Sequence, residues 1–200
     1  MKTSFHAFCI ASTQSGGGKT TVSLALMAAL AAQGKHVQAF KCGPDYIDPS
    51  FHRQATGRPS FNLDTWMMGK EGVRAQWARH AYGADVAVCE GVMGLFDGRT
   101  PESLEGSTAD CALVLGLPVL LVVQARGMAA SIAAVVRGFS RLNPDLNVAG
   151  VIANGVGSES HAAILRKALS HHGLPPLVGA FPKNGSWTLP ERQLGLVPAE

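Results

Sequence analysis

The chain has 200 residues, 46% apolar and 16% charged, enough to bury the core of one α/β or all-β domain and too apolar for a disordered tail. Lys and Arg number 17 against 14 Asp and Glu, a net charge of +3 with no run of like sign, which excludes the concentrated basic stripe of a nucleic-acid binder. The 23 glycines follow no period and the 11 prolines are scattered, which excludes collagen-like and low-complexity chains. Short apolar runs alternate with helix-like stretches, the pattern of βαβ units in a mostly parallel sheet. In chain order the pattern predicts strands at 5–11, 36–40, 85–89, 119–123, 148–153 and 177–180. It predicts helices at 20–33, 71–81, 108–115, 128–142 and 158–172, with Gly34 and Gly173 where helices are commonly stopped.

Two stretches break the alternation. Residues 41–69, rich in Pro, Asp, Asn and His, and residues 90–106 each follow a strand and read as long loops. In an open parallel sheet, loops at the carboxyl ends of strands hold the ligand. Both loops and the glycine-rich turn after the first strand are therefore expected to meet on one edge.

The four cysteines, Cys9, Cys42, Cys89 and Cys111, have no Cys-x-x-Cys spacing and read as buried reduced thiols. The first eleven residues carry one lysine and too short an apolar stretch for a signal peptide. Residues 111–123, the most apolar run, are interrupted by Gly116 and Pro118 and fall far short of a membrane span. A soluble cytoplasmic protein with no membrane and no nucleic-acid partner is expected.

The strongest motif is Ser-Thr-Gln-Ser-Gly-Gly-Gly-Lys-Thr-Thr at 12–21, between an apolar strand and an alanine-rich helix. Gly16, Gly17 and Gly18 let backbone N–H groups approach phosphate oxygens, and the helix start adds about half a positive charge. Lys19 is placed to pair with the β and γ phosphates and Thr20 to ligate Mg²⁺, with Thr13, Ser15 and Thr21 completing an ATP-binding loop. The strict phosphate-loop spacing asks for glycine where this chain has Thr13, so the flanking strand and helix carry the assignment.

Lys41, Asp45 and Asp48 follow the second strand and would place charge beside a γ-phosphate. The same residues suit an ordinary solvated turn, because Gly-Pro-Asp and Asp-Pro are turn formers. Glu90 ends the third strand among glycines that imply close backbone approach, and reads as a metal-shell carboxylate. Asn154 ends an apolar strand and reads as an adenine-edge contact or a turn asparagine before Gly155. The seven histidines show no ligand spacing, and Trp66, Trp77 and Trp187 read as core or substrate-wall aromatics.

Taken in order, the glycine loop, residues 41–49, Asn62-Leu-Asp64, residues 90–98 (Glu-Gly-Val-Met-Gly-Leu-Phe-Asp-Gly), 106–110, 150–154 and 190–199 resemble the N-terminal synthetase domain of the cobyrinic acid a,c-diamide synthases across essentially the whole chain. The resemblance implies a single P-loop NTPase-like α/β domain over residues 1–200, a mostly parallel sheet with helices on both faces. It implies an ATP-dependent carbon–nitrogen ligase that amidates the a and c acetates of a corrinoid through an acyl phosphate, in cobalamin biosynthesis. Lys41, Asp45, Asp48 and Glu90 would be catalytic, with Thr20, Asp45 and Glu90 as the Mg²⁺ shell. Tyr46, Asp48 and Asp97 would face the tetrapyrrole, whether cobyrinate, hydrogenobyrinate or nickel-sirohydrochlorin. The family's glutaminase domain is expected to be absent here, ammonia arriving from such a domain elsewhere, and a homodimer is left open. Two departures stand out: Ser12 replaces a usual glycine, stiffening the loop, and Gln193 replaces a usual histidine. Partition and septum-site ATPases share the loop but carry a second lysine where this chain has Gln14, which disfavours a dimerising ATPase switch. A dethiobiotin-synthetase-like enzyme is the other alternative.

Overall fold

The computed structural model describes residues 5–183. Its strands are β1 (His6–Ser12), β2 (Val37–Cys42), β3 (Phe61–Leu63), β4 (Val86–Glu90), β5 (Val119–Gln124), β6 (Val148–Val156) and β7 (Leu177–Pro182). All pairings are parallel, in the order β3-β2-β4-β1-β5-β6-β7. The helices are α1 (Lys19–Ala32), α2 (Asp48–Thr56), α3 (Gly69–Ala81), α4 (Thr108–Leu115), α5 (Ser131–Arg141) and α6 (Glu159–His171).

Side chains alternate across each strand, and the alternation divides the core into two layers. Ile10, Val88, Val122 and Ile152 pack beneath α1, with Val22 and Met27, and beside Ala55 of α2. Cys9, Phe40, Cys89, Leu121 and Val151 face the opposite way, toward Val73 of α3, Ala112 of α4, Ile132 of α5 and Leu165 of α6. All four cysteines are free and buried. The sulfurs of Cys9, Cys42 and Cys89 lie within 4.8 Å of one another on this second face. No helix among the described residues is long and apolar enough to cross a membrane.

The eleven elements read from sequence are present, with bounds that agree to within three residues. Residues 41–69 differ from expectation: they contain α2 and β3 and are not one long loop. The Asp45 carboxylate accepts hydrogen bonds from the backbone N–H groups of Ile47 (2.8 Å) and Asp48 (3.1 Å), which starts α2. Pro49 sits in the first turn, where its missing N–H costs no intrahelical bond. Gly57 ends the helix with φ of 70°, its N–H reaching the Arg53 carbonyl at 2.8 Å. The Asp and Pro that suit a turn also suit a helix start, and the nine-residue helix is too short and polar to announce itself by periodicity.

Loss of core volume sets a measurable scale for this packing. Leu121→Ala is expected to cost about 2–5 kcal/mol in urea unfolding, whereas Tyr82→Ala, at a well-exposed position, should stay within about 0.5 kcal/mol.

Candidate active site

Strand parity builds the site. Val86 and Val88 face α1 and α2, so Glu90, two residues further, faces them too. Lys41 follows Val37 and Ala39 in the same way on β2, and Lys41 and Glu90 are register partners. Both strands thus deliver a charged side chain to the carboxyl edge of the sheet, beside the start of α1.

Glu90 is 0% exposed. Its Oε1 accepts from the Thr20 hydroxyl at 2.6 Å and from Lys41 Nζ at 3.1 Å, and its Oε2 lies 2.8 Å from His52 Nε2. Lys41 Nζ also pairs with Asp48 Oδ2 at 2.6 Å and donates to the Gly91 carbonyl at 2.8 Å. His52 Nδ1 lies 2.9 Å from the Ser60 hydroxyl. Burial pushes the Glu90 carboxyl up, but the Lys41 ammonium, the His52 ring and the Thr20 hydroxyl outweigh it and hold the group at about 2. Glu90 is therefore a carboxylate throughout the neutral range.

The glycine loop lies at the same edge. Gly17 is buried, and a Cβ there would approach Ser12 Cβ to 3.0 Å and the Gln14 carbonyl to 3.2 Å. Gly18 has φ of +92°, and a Cβ on it would lie 2.1 Å from Asn154 Nδ2. The Asn154 amide donates to the Gly17 carbonyl at 3.2 Å, so this residue braces the loop from β6. Ser12 donates its hydroxyl to the Gln14 carbonyl at 2.6 Å, an added restraint on the turn. The N–H of Thr13 reaches the Val122 carbonyl, Ser15 and Gly16 form the exposed tip, and Lys19, Thr20 and Thr21 open α1.

The remaining expected residues sit on loops at this edge. Asn62 donates to the Asp45 carbonyl at 2.7 Å and holds the loop that carries Asp45 and Tyr46. Tyr46 is 90% exposed. The loop after β4 crosses the foot of the glycine loop, with Gly91 N–H to the Ile10 carbonyl and Leu95 N–H to the Ser12 carbonyl, each 2.8 Å. Asp97, on that loop, accepts from the Gly94 N–H at 2.8 Å. Arg99 covers the Trp66 ring at 3.2 Å, and the Gly106 N–H reaches the Thr65 hydroxyl at 3.1 Å, which ties the two long segments together. Trp77 is a core aromatic stacked on Phe40, whereas Trp187 and Gln193 lie outside the described residues.

The structure thus unites Thr20, Lys41, Asp48 and Glu90 in one buried network and uses Asp45 to start α2. His52 is the participant that sequence reasoning missed. Its signal is the spacing from Asp48, four residues along one helix face, which is invisible until 48–56 is known to be helical.

The family model "CobQ/CobB/MinD/ParA nucleotide binding domain" matches residues 8–193. The chain belongs to this family. Among curated relatives, the cobyrinate a,c-diamide synthase of Priestia megaterium is 50% identical over 190 residues, 95% of this chain and 41% of the relative. That of Syntrophotalea carbinolica is 51% identical, covering 96% of this chain and 42% of the relative. That of Gloeobacter violaceus is 49% identical, covering 97% and 43%. The chain therefore spans about two-fifths of the length of these relatives. Chloroplast FtsY from Physcomitrella patens shares the fold of this nucleotide-binding domain, with a TM-score of 0.59 at 19% identity over 86% of this chain and 57% of that one.

Two outcomes test the network. Lys41→Met leaves Glu90 and Asp48 without their shared ammonium and is expected to cost about 3–5 kcal/mol by chemical denaturation. Glu90 titrates near 4.5 when unfolded and near 2 when folded, so its ionisation adds stability that is complete above 4.5 and lost as the pH falls toward 2. Unfolding followed through that window should show a shallower acid decline in Glu90→Gln than in the parent.

Proposed function

We propose that this chain performs the ATP-using half of corrinoid a,c-diamide synthesis, in the cytoplasm. The Thr20–Glu90–Lys41 contact at the foot of the glycine loop carries the reading, because it sets a cation-binding hydroxyl and carboxylate beside a lysine able to meet a second anion. Identity near one half to curated cobyrinate a,c-diamide synthases along nearly all of this chain supports it.

The residues fit a nucleotide and its metal. Gly17 and Gly18 lie so close to Ser12, Gln14 and Asn154 that a Cβ on either would collide with them, which leaves the loop backbone bare for phosphate oxygens. Thr20 donates its hydroxyl hydrogen bond to Glu90, which leaves the oxygen lone pairs of Thr20 available to a cation. Thr13, Ser15, Gly16, Gly17, Gly18, Lys19 and Thr21 would hold the phosphates, while Thr20, Glu90 and Asp45 would hold Mg²⁺, which when bound neutralises phosphate charge. Asn154, already against the loop, would read the adenine edge.

A carboxylate resists amidation because it is anionic and lacks a leaving group. Phosphorylation removes both obstacles: a carboxylate oxygen bonds to the γ-phosphorus as the bond to the ADP oxygen breaks. Ammonia then bonds to the acyl carbon, phosphate departs with the electron pair, and a proton passes from nitrogen to phosphate. This chain's task is positioning and charge compensation. Lys41, held by Asp48 and Glu90, would offset the anionic carboxylate as it nears the γ-phosphate. Tyr46 and Asp97 would orient the tetrapyrrole acetates, Asp48, buried against Lys41, would act on them only through that lysine, and a glutaminase domain would supply ammonia.

ATP turnover with ammonium is expected to require a tetrapyrrole polycarboxylate such as cobyrinate, hydrogenobyrinate or nickel-sirohydrochlorin, and to yield a mass matching one or two carboxyl-to-amide exchanges. Turnover indifferent to every tetrapyrrole would overturn the reading. Lys19→Ala should weaken ATP binding, while Glu90→Gln should bind ATP but lose about 100-fold or more of Mg²⁺-dependent turnover. Asn154→Ala should narrow the preference for ATP over GTP, measured as the ratio of the two binding constants.

A further inference from the structure

His52 is completely buried on α2 and spans the gap between Ser60 and Glu90. An ionised carboxylate only accepts hydrogen bonds, so the ring nitrogen facing it, Nε2, carries a proton. The Ser60 hydroxyl, able to donate or accept, lies 2.9 Å from Nδ1 and fixes the ring plane from the other side. With Oε2 held at 2.8 Å by His52, the other oxygen of Glu90 is turned toward Thr20 and Lys41. Removing the Nε2 donor would free the carboxylate to rotate about its last bond and share both oxygens with Lys41.

We propose that His52, its ring set by Ser60, is a positioning residue that orients Glu90 and thereby sets how tightly the site holds the divalent cation of the nucleotide. The proposal rests on the reading of Glu90 as a carboxylate of the metal shell. Its magnitude follows from the general cost of removing a hydrogen-bond partner of a metal-ligating group, about 10–100-fold in affinity or activity. Asp48 and His52 lie on one face of α2, so this short helix serves both charged groups of the edge: Asp48 fixes Lys41 and His52 fixes Glu90.

The test titrates Mg²⁺ into each protein with a fluorescent ATP analogue present, alongside thermal melting of the metal-free chain. His52→Leu keeps the apolar volume and loses the donor; it should raise the half-saturating Mg²⁺ concentration about 10-fold or more. Metal-free nucleotide affinity should not change. His52→Gln, whose amide N–H replaces the Nε2 donor, should recover most of the loss. Ser60→Ala should lie between them, and remains informative if His52→Leu does not fold. A lowered melting temperature with unchanged Mg²⁺ dependence in His52→Leu or Ser60→Ala would overturn the proposal, since a purely structural role predicts that result. Glu90→Gln separates the two levels of inference. If its own Mg²⁺ dependence is unaltered, the assignment of Glu90 fails; if it shifts while His52→Leu does not, the role of His52 alone fails.

Discussion

An ionised carboxylate shut off from water must be met by donors on each of its oxygens or it will not stay ionised. Glu90 meets that demand by recruiting one donor from each of three elements: Thr20 from α1, Lys41 from β2 and His52 from α2. The demand propagates. Lys41, itself buried, has three N–H donors to satisfy, and Asp48 and the Gly91 carbonyl supply the acceptors that Glu90 leaves open. Asp45, accepting from the N–H groups of Ile47 and Asp48, shapes the turn that leads into α2 and presents Asp48, and Asn62 of β3 holds the loop that contains Asp45. The segment between β2 and α3 is therefore folded around one charge at the tip of β4.

The same edge explains the economy of the glycine loop. Gly17 and Gly18 lie against Ser12, Gln14 and Asn154 so closely that no side chain fits, and the loop after β4 passes beneath them through bonds to Ile10 and Ser12. Backbone groups of the loop and the acidic group of β4 are thus set by one packing arrangement. The cysteine cluster lies on the other face of the same strands, with Cys42 and Cys89 adjacent in sequence to Lys41 and Glu90. Adjacent strand residues point to opposite sides, which keeps three thiols in the apolar layer and both charged groups out of it.

Legibility in the sequence followed the strength of local patterns. Continuous apolar runs exposed β1, β4 and β5, and the strand-to-helix context exposed the glycine loop despite Thr13 in place of glycine. Lys41 and Glu90 were visible as charges at the ends of such runs, a placement that burial otherwise forbids. α2 and β3 were not visible, one being short and polar and the other three residues long. With α2 hidden, His52 was one histidine among seven. The contact of Asn154 with Gly17 spans 137 residues of sequence and depends on the order of strands, which no local pattern records.

Under the proposed function the buried charges serve transfer of a phosphoryl group to a substrate carboxylate. Oxygen-isotope transfer tests it most directly. A tetrapyrrole whose acetate carboxylates carry ¹⁸O, incubated with this chain, Mg²⁺, ATP and ammonium, should deliver one labelled oxygen to inorganic phosphate for each amide formed. Amide formation that leaves the phosphate unlabelled would contradict the account.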